Sequence, residues 1–190
     1  MSSVRLLVLG SILRSGASHG YKVYSDITSW RADTWTNVKP GSIYHALEKL
    51  ESQRLIQPVP SQSEEKPGPS RTEYSVSEKG KEEFYSLLEA ALKSSDIQSF
   101  SVGVAFMEMM PRTEVLALLQ ERHTLLLHSA QFLKSLPTSE FPSDPSKHPE
   151  LVGLWVRYVE SQAEHTLRML QHIESGQYGF REHHVKEENE

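Results

Sequence analysis

The chain has 190 residues, no cysteine and a formal net charge of −5. That length holds one domain or two small ones, and the missing cysteines exclude disulfides, thiolate catalysis and thiolate-ligated zinc. A net negative charge excludes a protein that coats nucleic acid indiscriminately, and no run of about 18 apolar residues suggests a membrane-spanning helix. The first residues carry one Arg and no small-residue cleavage pattern, so a signal peptide is not expected. The charge is uneven. Residues 1–80 hold ten Lys/Arg and eight Asp/Glu, whereas residues 81–190 hold ten and seventeen. A mildly basic head on an acidic body is one arrangement this fits.

Val4, Leu6, Leu7, Leu9, Ile12 and Leu13 make residues 3–14 a strongly apolar helix, broken by Ser15-Gly-Ala-Ser18. Tyr21, Val23, Tyr24, Ile27 and Trp30 restore the helical period over residues 19–30. Residues 31–38, rich in Asp, Thr and Asn, read as a loop. Residues 39–56 then carry one apolar stripe, Ile43, Ala46, Leu47 and Leu50, with His45, Glu48 and Ser52 opposite. Pro40 stands where the helix begins, a position that tolerates it because the first N–H groups lack helical partners. Alone, this pattern fits an ordinary amphipathic helix as well as a DNA-reading one.

After Ile56 the texture changes. Gln57-Pro-Val-Pro60 is extended, residues 61–70 form a turn rich in Ser, Glu, Pro and Gly, and Thr72, Tyr74 and Val76 alternate with polar neighbours. Residues 56–77 therefore read as a β-hairpin with a long tip. Ser77 is placed to N-cap a helix running to about Lys93, with Glu78 in its first turn.

The remainder is helical. Residues 100–110 form a short apolar helix ended by Pro111, and residues 112–136 place Leu116, Leu119, His123, Leu126, Leu127 and Ala130 on one face. Four prolines mark Pro137–Pro149 as a linker. Residues 150–175 carry a stripe of Val152, Trp155, Val156, Val159, Ala163, Leu167, Leu170 and Ile173. Leu151, Leu154, Tyr158 and Met169 make a second strip. A helix apolar on two sides must be covered twice, most simply by a second copy of the chain, the alternative being the N-terminal domain folded back over the second strip. The polar tail from Gln177 is expected to be disordered.

Three blocks resemble the PadR family of bacterial transcriptional regulators: His19-Gly-Tyr-Lys-Val, Pro40-Gly-Ser-Ile-Tyr-His-Ala-Leu-Glu-Lys-Leu-Glu with Leu55-Ile56, and Arg71-Thr-Glu-Tyr-Ser-Val-Ser-Glu-Lys-Gly80. They stand in family order and spacing over about residues 4–80. The resemblance implies a mainly α fold with a small β-hairpin: a winged helix-turn-helix over residues 1–95, a helical dimerisation and effector domain over 96–176, and a tail over 177–190. The long C-terminal half is similar, in layout, to the longer branch of the family. Lys39 departs from the pattern, since relatives commonly have Ser or Thr before the Pro-Gly.

On that resemblance, the side chains expected to meet double-stranded DNA are Tyr21, Lys39, Ser42, Tyr44, His45 and Lys49, with Lys66 and Arg71 on the wing. Hydroxyls and ammonium groups suit phosphates, while Ser42 and His45 suit base edges. The partner is expected to be a pseudo-palindromic operator bound by a homodimer in the cytoplasm, as a repressor relieved by a small aromatic effector. Phe106, Met109 and Trp155 are the candidates for an effector pocket between the domains, although such residues more often serve as core. His123 and His128 do not share a helical face. His165 and His172 do, but no third ligand completes a metal set. No cofactor or metal and no catalysis is expected, since no phosphate-cradling loop or nucleophile motif occurs. The alternative is a winged helix that uses the same face to bind a protein.

Overall fold

The computed structural model describes residues 2–36, 38–60, 72–139 and 148–180. The chain divides into two compact units, one of Met1–Ala91 with Asp96–Phe106 and one of Leu92–Ser95 with Met107–Glu190. Helix α6 (Ile97–Phe106) groups with the first unit although it follows residue 95.

The first unit is built around α1 (Ser2–Ser15). Leu6, Leu7, Val8, Leu9 and Ile12 are all buried, so this helix is enclosed on several sides rather than on one stripe. It packs against α2 (Gly20–Ser29), α4 (Pro40–Ser52) and α6 (Ile97–Phe106). The Phe106 ring lies against Gly10, where an added Cβ would come within 2.5 Å of it. Residues 31–38 are not wholly loop, as the sequence suggested. After Arg31 in the left-handed region (φ 59°), Ala32–Trp35 form the one-turn helix α3, buried at Ala32.

Helix α4 ends without glycine. Arg54 takes the left-handed conformation (φ 59°), and the Leu55 N–H donates to the Leu50 carbonyl at 2.9 Å, a closing pattern usually built on Gly. The turn delivers Leu55 and Ile56 to the core and starts β1 (Ile56–Val59). This strand pairs antiparallel with β2 (Glu73–Val76), Ile56 opposite Val76 and Val59 opposite Glu73. Ser18 pairs with Tyr74 on the other edge of β2, through Ser18 N to Tyr74 O at 3.0 Å and Tyr74 N to Ser18 O at 2.9 Å.

Helix α5 (Glu78–Lys93) begins on a serine cap, the Gly80 N–H donating to Ser77 Oγ at 3.1 Å. Its first turn rests on the end of the α4 turn. The Leu55 carbonyl accepts from Ser77 N at 3.0 Å, and a Cβ on Gly80 would lie 2.0 Å from that oxygen.

The second unit is an antiparallel pair, α7 (Arg112–Ser135) and α8 (Pro149–Glu174), preceded by a 3-10 turn at Met107–Met109. Its pairings run in opposite directions: Arg112 donates to the Ile173 carbonyl, and Arg122 to Gln162. Leu126, Ala130, Val159 and Ala163 form a core cluster, flanked by Leu133 and Tyr158. The faces differ in part from the sequence stripes. Met169 is buried at 4 % exposure, while Trp155 and Leu167 stand at 50 % and 41 %. Arg122 is also buried, its guanidinium donating to the Ser94 carbonyl and to Gln162 Oε1, both at 2.6 Å. Gln162 in turn donates to the Ser95 carbonyl at 3.2 Å.

Candidate nucleic-acid interface

Helix α4 is held from one side only. Ile43, Ala46, Leu47 and Leu50 are buried, and Tyr44, His45, Glu48 and Lys49 point outward. At its head Lys39 is the N-cap residue and exposed. An ammonium has no lone pair, so it cannot accept from the first-turn N–H groups as Ser or Thr would. Ser42 makes half of a capping arrangement from the other end: its Oγ accepts from Lys39 N at 3.0 Å and donates to Lys39 O at 2.7 Å. The Ser42 hydroxyl proton is thus committed locally, and an outside group meets mainly its remaining lone pair.

Tyr44 and Tyr21 stand at 48 % and 59 % exposure. They are brought together by Gly20, where a Cβ would come within 2.6 Å of the Tyr44 ring and 3.0 Å of Leu47. The glycine of the His-Gly-Tyr block therefore lets the start of α2 approach the middle of α4. His19 caps α2, its Nδ1 accepting from Lys22 N at 3.2 Å, and its ring stacks with Tyr21 at 6.4 Å. His45 and Glu48 approach at 4.0 Å, both well exposed, a pairing of small energetic weight.

Between these elements lies a hollow of about 350 Å³, lined by His19, Tyr21, Tyr44, Leu47, Glu48 and Tyr74 among others. The Tyr74 hydroxyl donates to Glu51 Oε2 at 3.1 Å. Burial, then the Glu51 hydrogen bond and the charges of Glu51 and Glu48, push the Tyr74 phenol above its ordinary value. The folded state holds this proton more tightly than the unfolded chain. Its stabilising contribution is therefore complete below pH 10.0, the ordinary value, and is lost as pH rises through the folded one. Tyr74→Phe is accordingly expected to flatten the loss of stability above that pH in urea unfolding. Parallel loss in both proteins would remove this account.

The arrangement gathers Tyr21, Lys39, Ser42, Tyr44, His45 and Lys49 in the α2–α4 unit, whereas Lys66 and Arg71 lie outside the described residues. Sequence reasoning left out Gly20 and the Tyr74–Glu51 pair. Gly20 was signalled by its place in the block; no local pattern links residues 51 and 74. Of the three effector candidates, Phe106 belongs to the first unit, and Met109 and Trp155 belong to the second. Phe106 is fully buried, edge-on to Trp30 at 5.8 Å and Phe84 at 6.0 Å, with the Arg14 guanidinium 4.8 Å from its ring centre. Met109 is half-buried, and Trp155 meets Tyr158 edge-on at 5.5 Å. Among the described residues, no cluster of three or more His, Asp or Glu could hold a metal, and no helix is long and apolar enough to cross a membrane.

Residues 8–86 match the family model described as the transcriptional regulator PadR-like family. Among curated proteins, none matches the chain. Similar solved structures include Bacillus subtilis PadR in complex with operator DNA, 20 % identical, covering 89 % of this chain and 98 % of that one, with a TM-score of 0.39. The same regulator in complex with p-coumaric acid is 18 % identical, with coverages of 90 % and 99 % and a TM-score of 0.37. A PadR-like transcriptional regulator from Bacillus cereus is 15 % identical, with coverages of 91 % and 99 % and a TM-score of 0.39.

Proposed function

We propose, from the match of residues 8–86 to the PadR-like transcriptional-regulator family model, that the protein is a DNA-binding transcriptional regulator of the bacterial cytoplasm. It acts as a homodimeric repressor on a pseudo-palindromic operator and is released by a small aromatic effector of phenolic type. The observation that carries the DNA-binding reading is the face of α4 inside the matched segment. Its apolar side is wholly spent on the core, and its other side presents Tyr44, His45 and Lys49, with Lys39 at its head. A helix of this width enters a major groove, and its first turns meet base edges.

Dimer formation is supported by the second unit. Leu125, Leu127 and Phe132 of α7 and Leu151, Leu154 and Trp155 of α8 are all exposed at 43 % or more. Because the two helices run antiparallel, these residues gather toward the end of the pair where α7 stops and α8 starts. Apolar surface of this kind marks an association face. Two copies would set two reading helices on half-sites about one helical turn apart. A planar effector would stack on the half-exposed Trp155.

The test is fluorescence anisotropy on duplex from the promoter region of the protein's own gene, against random duplex, over a salt series. The own-promoter duplex is expected to bind more tightly, with affinity falling steeply as salt rises. Lys39→Glu with Lys49→Glu is expected to weaken it about 100-fold or more and to lower the salt slope by about two contacts. Equal affinity for both duplexes with no salt slope would overturn the reading. Unchanged affinity in the double variant would favour a face that binds protein instead.

A further inference from the structure

We propose that the hollow between α2, α4 and β2 binds a small organic cation, an alkylammonium group, and that its occupant competes with DNA for this face. The competition half rests on the reading of α4 as the DNA-reading helix; the binding half does not.

Three features define the chemistry. The walls are aromatic on several sides, with Tyr21, Tyr44 and Tyr74 beside the His19 ring. The quadrupole of an aromatic face attracts a cation, most strongly where water is excluded. The second feature is charge. Glu48 lines the hollow and Glu51 stands behind Tyr74, accepting a hydrogen bond from its hydroxyl at 3.1 Å, while no Lys or Arg side chain is among the described lining residues. The Tyr74 phenol is displaced upward first by burial and then by the Glu51 hydrogen bond and the charges of Glu51 and Glu48, so both carboxylates act on this wall of the hollow. The third is size: about 350 Å³ is at the lower end of ligand pockets and admits a small molecule.

These features select against the other candidates. A phosphate or a phenolic acid would bring negative charge toward two carboxylates. A neutral apolar group would gain from Leu47 and the rings but nothing from the Glu48 carboxylate. A cation satisfies both the rings and the carboxylates. Because Tyr21 and Tyr44 form the rim and are also the aromatic side chains facing outward beside Lys49, an occupant would stand between α4 and a groove.

The experiment uses the full chain with choline as the probe and 3,3-dimethylbutan-1-ol as its uncharged isostere, followed by amide chemical shifts. Choline is expected to give saturable shifts centred on Gly20 and Leu47, and the isostere to bind at least about tenfold more weakly. Glu48→Gln, which keeps the shape and removes the charge, is expected to weaken choline about fivefold or more. Tyr44→Ala, which removes one aromatic wall, is expected to weaken it similarly. Non-saturating shifts, equal binding of the isostere, or a Glu48→Gln protein that binds choline unchanged would overturn the site. In the DNA arm, choline chloride replaces sodium chloride at constant ionic strength. Lower affinity for the own-promoter duplex is expected in the wild type and not in Glu48→Gln, and equal affinity in both salts would overturn the competition. A chain that binds choline but no duplex would overturn the regulator reading and leave the cation site standing.

Discussion

Replacing Gly80 by alanine is expected to destabilise the winged-helix unit by about 2–3 kcal/mol, despite alanine being the better helix former. The added Cβ would lie 2.0 Å from the Leu55 carbonyl oxygen, 2.6 Å from Val76 Cγ1 and 2.9 Å from the Leu55 carbonyl carbon. Two of these are backbone atoms, and the oxygen is fixed by Ser77 N at 3.0 Å and Ser77 Oγ at 3.1 Å. No side-chain rotation relieves the overlap. The start of α5 must move off the turn that follows α4, at the expense of those bonds. The gain in helix propensity, about 1 kcal/mol, offsets only part of this. Gly41 provides the contrast. It is also in a first helical turn, but nothing lies within 4 Å of a Cβ placed there. Gly41→Ala is expected to be neutral or stabilising by up to about 1 kcal/mol. Urea unfolding of the two variants checks the argument, and equal midpoints would sink it.

The second large effect is at Arg122. Arg122→Ala is expected to lower stability by about 3–5 kcal/mol, because it leaves the Ser94 carbonyl and Gln162 Oε1 buried without that donor and opens a cavity between α7 and α8. One term opposes this. Burial holds the guanidinium down to about 10, partly countered by Tyr158, so the native state bears the cost of desolvating a charge. Arg122→Met removes that cost and keeps much of the volume, and is expected to lose less than the alanine variant. Combining Arg122→Met with Gln162→Leu should be less damaging than the sum of the two by about 1 kcal/mol or more, the signature of a shared network. The pH dependence has a definite sign. Between about 10 and the ordinary guanidinium value, the unfolded chain keeps a proton that burial leads the folded one to release. This group's contribution to stability therefore rises with pH across that window and is constant below it. Single substitutions that shift the urea midpoint by no more than a surface change would contradict the role assigned to this cluster.

The order of helices and the hairpin were legible because their apolar periods are strong and Pro and Gly punctuate the joins. Residues 78–93, 112–136 and 150–175 were read within one residue of α5, α7 and α8. What escaped is what periodicity does not encode. Helix α3 has a single turn, too short to show a period. Arg122 carries a charge, and a charged residue on a helix is taken to face water unless its partners are known. Those partners, Ser94 and Gln162, are remote in sequence. On α8 the expected stripe ran on to Trp155, yet the buried face holds Thr166 and Gln162, polar groups whose burial depends on hydrogen bonds rather than on hydropathy. At the candidate site, the outward positions of Tyr44, His45 and Lys49 followed from the stripe of Ile43, Ala46, Leu47 and Leu50. The hollow beside them did not, because it depends on Gly20 and Tyr74 arriving from other elements.

The pairing of Ser18 with Tyr74 bears on how this unit opens. Helices α2, α3 and α4 and strand β1 all lie between two residues whose backbones hold each other by paired hydrogen bonds of 3.0 and 2.9 Å. A segment closed at both ends cannot fray residue by residue as a terminal helix does. Loss of order in the face that would meet DNA therefore has to begin inside the segment rather than at a free end.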